Sequence, residues 1–293
     1  MIKRKSIFWR IVTLILFRER GIVINRFNSL ISNEDFGVQT SGSHTESLRK
    51  LIDSLKPVGT NLNLVRIGGN SDGSYVIPLE LIDANSYLIS GGIENNNKFE
   101  MELARHGVLG IQIDNSIDDP PQKSLNFEFI RRTISNKDDD ENISLSTLIN
   151  EAPEAYRIIM KLDIEGSEVL ALNNLTEDEL NKVECLVMEL HNLSAITDTK
   201  FKKTLLKLLE KLNESGLVSV FLQANNGCLA YNIGGVLLPD NIEITFIKRK
   251  YTRKPSLSDI MIIRGLTTKN VNRFTNLNID HILTSGLIEN ERQ

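Results

Sequence analysis

Apolar positions along the chain fall in short runs separated by polar turns, and their spacing switches between helical and strand periods. Over about 43–56, Leu48, Leu51, Ile52 and Leu55 share one helical face, Ser43 and Glu46 stand at capping-box spacing, and Pro57 ends the pattern. Residues 64–77 read as a hairpin, two apolar runs around a Gly/Asn/Asp turn. An alternation follows. Strands are expected at Tyr87–Ser90, Val108–Ile113, Phe127–Arg132, Arg157–Leu162, Cys185–Leu190 and Val218–Leu222. Between them the pattern predicts helices at Lys98–His106, Leu145–Asn150, Ser167–Asn173, after Thr176 and at Phe201–Leu212. Two late strands, Ile242–Ile247 and Ile260–Ile263, lack a strong helix before them, so an antiparallel strand is expected there. Alternating strands and helices imply an α/β fold, a mostly parallel sheet with helices on both faces. Ligands of such sheets bind at the carboxyl ends of the strands.

Composition narrows the classes. With 293 residues, 41% hydrophobic and 25% charged, the chain holds one large domain or two small ones and can bury a sizeable core. A net charge of −4 argues against a nucleic-acid partner, which would need a basic face. Cys185 and Cys228 are too few for a disulfide framework and fit a reducing, cytoplasmic setting. The run Ile7–Phe17, broken by Arg10 and flanked by Lys3, Arg4, Lys5 and by Arg18 and Arg20, is shorter than the roughly 20 residues of a membrane span. It fits either a helix docked on the protein's own core or peripheral membrane contact through residues 1–20.

The strand ends carry the candidate chemistry. Gly91-Gly92-Ile93-Glu94 follows the first strand and permits a tight turn and close approach to a ligand. Asp114 ends the next strand, at a spacing that suits hydrogen bonds to ribose hydroxyls. The third junction, Lys161-Leu162-Asp163-Ile164-Glu165-Gly166-Ser167-Glu168, gathers carboxylates where a strand enters a helix. Helix capping accounts for Glu165 and Glu168 but less well for Asp163. Glu189 and His191 lie two apart on the following strand, hence on one face. Asp163, Glu189 and His191 can therefore pair a base with orienting carboxylates or hold a divalent cation. Gln223-Ala224-Asn225-Asn226-Gly227 offers amides at a further strand end, or a plain turn. Asp138–Glu141 reads as a solvated acidic loop, and Lys248–Lys250 with Arg253 and Lys254 as a basic surface cluster that could face anionic lipid.

The third junction resembles the K-x-D-[IV]-E-G-x-E signature of FkbM-type S-adenosylmethionine (SAM)-dependent methyltransferases. Arg66-Ile67-Gly68 with Asp72-Gly73-Ser74-Tyr75-Val76 is similar to an R-x-G…D-G-G-Y-V element of one branch, with Ser74 in place of the second glycine. Asn225-Asn226, Pro239 and Ile242-Glu243-Ile244-Thr245-Phe246 also resemble that branch, with Gln223 where a histidine is usual. The resemblance spans about 62–250. It implies a class I methyltransferase-like (Rossmann-like), seven-stranded sheet with an antiparallel edge hairpin. It also implies SAM near Gly91, Gly92, Glu94 and Asp114, and methyl transfer to an oxygen of a sugar, glycan or small metabolite. His191 is then the candidate base, with Asp163 and Glu189 orienting it or all three holding a cation, as in catechol-type O-methyltransferases. The expected organisation is an N-terminal helical extension over 1–60, a catalytic domain over 61–265 and a polar tail over 266–293. The alternatives are a nucleotide-sugar glycosyltransferase and a non-catalytic, membrane-associated Rossmann-like module.

Overall fold

The computed structural model describes residues 43–233, 236–272 and 274–284. The segment 1–20 expected to touch a membrane or the core lies outside them. Among the described residues, no helix is long and apolar enough to cross a membrane.

Seven strands form the central sheet: β1 (Ser86–Gly91), β2 (Leu109–Ile113), β3 (Phe127–Ile130), β4 (Arg157–Leu162), β5 (Val183–Leu190), β6 (Leu217–Ala224) and β7 (Ile242–Lys248). Their order is β6-β7-β5-β4-β1-β2-β3. All neighbours run parallel except β7, which is antiparallel to both β5 and β6. This is the class I methyltransferase-like, Rossmann-like arrangement, with its antiparallel pair at one edge. The chain reverses between β1 and β4, so the crevice at their carboxyl ends is a topological switch point.

Side chains alternate across the sheet. On β5, Leu186, Met188 and Leu190 face one core layer, while Cys185 and Val187 face the other. The first layer is closed by α1 (Ser43–Leu55), α3 (Leu145–Glu151), α4 (Glu168–Asn173), α5 (Glu177–Lys182) and α6 (Thr199–Glu214). The second holds α2 (Lys98–Arg105) and the antiparallel hairpin Leu64–Ile67/Tyr75–Pro78. Local chemistry bounds these helices, with the one expected from Phe201 starting two residues earlier, at Thr199. Thr176 and Glu179 form a capping box before α5, Asp198 accepts from Phe201 N at the head of α6, and Gly107 takes φ +83° just after α2.

Three expectations are corrected. Ile260–Ile263 is not a strand but the middle of α7 (Leu257–Leu266). Ser256 and Asp259 form a capping box, and Ile260 and Ile263, one helical turn apart, point inward while Met261 and Ile262 are exposed. The stretch from 266 is no polar tail as far as it is described: Ile279, Ile282 and Leu283 enter the first core layer, and Asn270 is buried. Nor is 43–60 a separate extension, since α1 packs on α6 and Gly59–Thr60 pairs with Thr252–Arg253. Two ribbons carried no sequence signal: Thr133–Ser135 with Asn142–Ser144, and Ala230–Ile233 with Val236–Pro239.

Candidate active site

The loops after β1, β2, β4 and β5 converge on one rim. A cleft of about 540 Å³ is lined by Asp72, Glu94, Lys161, Asp163, Glu165, Glu189, His191 and Asn270, among others. A smaller slot of about 160 Å³ runs beside it, walled by Ile113, Ile134 and Ile164 and edged by Asp114, Asn115, Ser116 and Thr133. The two share Gly92, Glu94, Asp163 and Glu165. A groove of about 570 Å³ between α1 and α6 reaches the start of β6, away from the carboxyl ends of β1, β2, β4 and β5.

The backbone of this rim is unusual. Among the described residues, three non-glycine residues have φ in the left-handed region: Glu94 (+41°), Glu165 (+54°) and Asn192 (+62°). They occupy the loops after β1, β4 and β5. Such conformations cost free energy, persist only where the surroundings enforce them, and cluster at functional sites. Gly92 serves this packing: a Cβ there would lie 1.7 Å from the carbonyl oxygen of Asp163, so the close approach that requires glycine is to β4's own loop. Lys161, buried on β4, donates to the Gly92 carbonyl and lies 4.0 Å from Glu100, which accepts from Ser90 Oγ at 2.6 Å.

Asp114 sits at the end of β2 as expected, but protein donors already fill its carboxylate. Oδ2 accepts from the amides of Ile93 (2.9 Å) and Glu94 (2.8 Å), and Oδ1 accepts from the amide and hydroxyl of Ser116. Burial would raise its pKa, but these bonds hold it below the ordinary value. It therefore fixes the Gly91–Glu94 turn. Glu94 lines both the cleft and the slot, and among the described residues no donor is hydrogen-bonded to its carboxylate. Burial first, then Glu165, Asp163 and Asp114, raise its pKa.

Asp163, Glu189 and His191 come together as their strand-end positions imply. One ligand atom from each lies within 4.8 Å of the others. His191 Nε2 is 3.8 Å from Asp163 Oδ1 and 3.7 Å from Glu189 Oε1. Orientation of the imidazole comes from elsewhere than expected. Glu168, fully buried at the start of α4, holds Nδ1 at 3.0 Å, and the same oxygen accepts from the amides of Ile164 (2.9 Å) and Gly166 (3.2 Å). Asp163 and Glu189 thus face Nε2 across the site, and the orienting carboxylate is the last residue of the acidic signature. The two carboxylates are themselves held. Tyr75 donates to Asp163 Oδ2 at 2.6 Å, and Asn225 and Asn241 donate to Glu189 Oε1 at 2.7 and 3.0 Å.

Charge crowds this spot. Burial alone would lower the pKa of His191, but the Glu168 hydrogen bond and the charges of Glu168, Glu189 and Asp163 raise it to about 9. Burial and the Asp163 charge raise that of Glu189. Without a cation, the imidazole therefore holds its proton at neutral pH. Two carboxylates and one imidazole, each hydrogen-bonded from behind, fit a divalent cation of the magnesium or manganese kind.

A second polar network was not legible beforehand. Arg66, its side chain only 6% exposed, donates to Gln223 Oε1 (2.7 Å), Ser74 O (2.8 Å) and Leu266 O (2.8 Å), and pairs with Glu243 at 3.4 Å. Asn270 donates to both Glu243 and Asp72, tying residues after α7 to the cleft wall. The amides of Gln223, Asn225 and Asn226 are engaged here and at Glu189, Val271 and Phe274, so they build the wall and are not free for a ligand. Asp138–Glu141 is an exposed loop, as expected.

No protein-family model matches the chain, and no curated protein matches it. Among solved structures it is similar to a Methanococcus jannaschii fibrillarin pre-rRNA processing protein, with 9% identity, 64% of this chain and 83% of that one covered, and a TM-score of 0.37. It is also similar to precorrin-6y C5,15-methyltransferase from Geobacter metallireducens GS-15, with 12% identity, 58% and 84% covered, and a TM-score of 0.32.

Proposed function

We propose that the chain is a SAM-dependent methyltransferase of the FkbM type that methylates a hydroxyl on a sugar, glycan or small metabolite. One observation carries this reading: the Asp163–Glu189–His191 cluster opens into a polar cleft that shares its floor with an isoleucine-walled slot at the β1/β4 switch point. The slot offers flat apolar walls to an adenine, and Glu94 and Asn115 offer polar groups to a ribose. The adjoining cleft is dominated by carboxylates and carboxamides, which suits a hydroxyl-rich acceptor without negative charge.

SAM supplies a methyl group already activated on sulfur, which leaves positioning and deprotonation of the acceptor to the protein. A divalent cation would lower the pKa of a bound hydroxyl. Asp163 Oδ1, Glu189 and His191 Nε2 would hold it. Tyr75, Asn225, Asn241 and Glu168 keep those donors aimed. The protonated state of cation-free His191 favours this over His191 acting alone as base, because a base must be free of its proton.

Thermal unfolding in the presence of SAM, S-adenosylhomocysteine, NAD and a UDP-sugar tests the proposal. Ligand at 100 times its dissociation constant stabilises by about 2.7 kcal/mol. SAM and S-adenosylhomocysteine should raise the midpoint. A rise with NAD or the UDP-sugar alone overturns the reading, and no rise with any of the four supports the non-catalytic alternative.

A further inference from the structure

Helix α7 presents an exposed apolar face that no described residue covers. Leu257 (60% exposed), Met261 (70%) and Ile262 (48%) lie on one side of the helix, with small Ser258 and Gly265 beside them. Its opposite side is anchored by buried Ile260 and Ile263 and by Asp259, which makes two 2.7 Å bonds to Arg253. The exposed side chains therefore sit on a fixed helix and cannot fold inward. The charge on this stretch of chain is mainly positive. Between Lys248 and Lys269 it carries seven basic residues and one acidic one, Asp259, and although Lys250, Arg253 and Arg264 pair with Glu184, Asp259 and Asp280, the cations at the two ends of the helix are left over. Lys254 precedes the helix and Lys269 follows it. Both are exposed, and neither makes an ion pair among the described residues.

From this juxtaposition we propose that α7 docks the protein on an anionic membrane surface, with Leu257, Met261 and Ile262 entering the headgroup boundary and Lys254 and Lys269 meeting lipid phosphates. Three aliphatic side chains fall well short of the roughly 800 Å² per partner of a stable protein interface. A bilayer accepts such a small apolar face when cations flank it. The contact also reaches the candidate site. Leu266, the last residue of α7, accepts from Arg66 Nε, and four residues later Asn270 lines the cleft. A docked α7 holds the cleft mouth beside the lipid surface, where an acceptor attached to lipid would be met. The docking itself does not depend on the methyltransferase reading.

The test uses the full chain with vesicles of equal parts phosphatidylglycerol and phosphatidylcholine, and with phosphatidylcholine alone. It reads co-sedimentation and hydrogen exchange of the 257–266 amides. Anionic vesicles should pull down the protein and slow exchange across α7. Met261→Glu with Ile262→Glu should abolish the slowing and, unless residues 1–20 also bind, cut the bound fraction at least tenfold. Lys254→Glu, with the apolar face intact, should weaken both readouts, and unchanged thermal unfolding certifies both variants as folded. Unchanged α7 exchange with anionic vesicles overturns the proposal, whether or not the protein sediments. Equal slowing with phosphatidylcholine alone also overturns it. So does slowing that grows with protein concentration without lipid, which would assign the face to a second copy.

Discussion

Glu168→Gln is the sharpest perturbation of the site, because it keeps the volume of a fully buried side chain and removes its charge. One Glu168 oxygen accepts from Ile164 N, Gly166 N and His191 Nδ1. A hydrogen bond to a charged group contributes about 1.5–3 kcal/mol and a neutral one about 0.5–1.5, so each of the three loses on the order of 1 kcal/mol. Desolvation costs a neutral amide less than a carboxylate, which returns part of that loss. The net destabilisation expected is about 1–3 kcal/mol. The consequence for the cluster is larger than for the fold. An imidazole that loses its carboxylate partner ligates more weakly, and such outer partners are worth about 10–100-fold in metal affinity. Calorimetric titration with Mn²⁺ should show this loss, and the His191 ring resonances should titrate at lower pH than in the wild type. Mn²⁺ affinity within twofold of wild type, in a variant whose unfolding confirms the native fold, would refute the role given to Glu168.

Acidification tests the same cluster differently. His191 holds its proton up to about pH 9, and a cation must displace it, so Mn²⁺ affinity should fall about tenfold per pH unit from 9 to 7. A flat profile contradicts the ligand assignment. Because the folded pKa lies above the ordinary 6.5, the stabilisation from the imidazolium is complete below pH 6.5 and is lost as pH rises through 9. In EDTA, thermal stability should decline over that window through this group, and saturating Mn²⁺ should remove the decline. Gly92→Ala, at φ +76° and with its Cβ driven into the Asp163 carbonyl, should cost about 3 kcal/mol or more in urea unfolding. Arg66→Met leaves buried Glu243 without its ion-pair partner and should cost about 3–5 kcal/mol, while the double variant Arg66→Met/Glu243→Gln should recover part of that loss.

The architecture was legible because the sheet strands are compact apolar runs, β1, β2, β4 and β6 of them closed by Gly, Asp or Asn, and most helices show their own period or cap. Asp163 and His191 could be placed on one rim from sequence alone, since both terminate such runs. The partnership of Glu168 with His191 could not. The two are 23 residues apart, and their contact depends on where α4 starts relative to the end of β5. The sequence supplied an adequate local explanation for Glu168, helix capping, which concealed its second task. Ile260–Ile263 misled for a related reason. Four consecutive apolar residues have no resolvable period, but Ser256-x-x-Asp259 just before them is a capping-box spacing that marks a helix. Asn270 lay in a polar stretch with no period at all, and its place in the cleft follows from long-range bonds on either side of it, Arg66 to Leu266 O and Asn226 to Val271 and Phe274. Asp114 was located correctly at its strand end, but which donors would fill its oxygens depends on the φ +41° turn at Glu94, which residue type did not reveal.

The most direct test of the central claim is a crystal structure of the full chain grown with S-adenosylhomocysteine and Mn²⁺. The adenine is expected between Ile113, Ile134 and Ile164, the sulfur turned toward Asp163, and the metal on Asp163, Glu189 and His191. A nucleoside bound elsewhere, or a metal that avoids these three side chains while the slot stays filled by protein, would contradict the account.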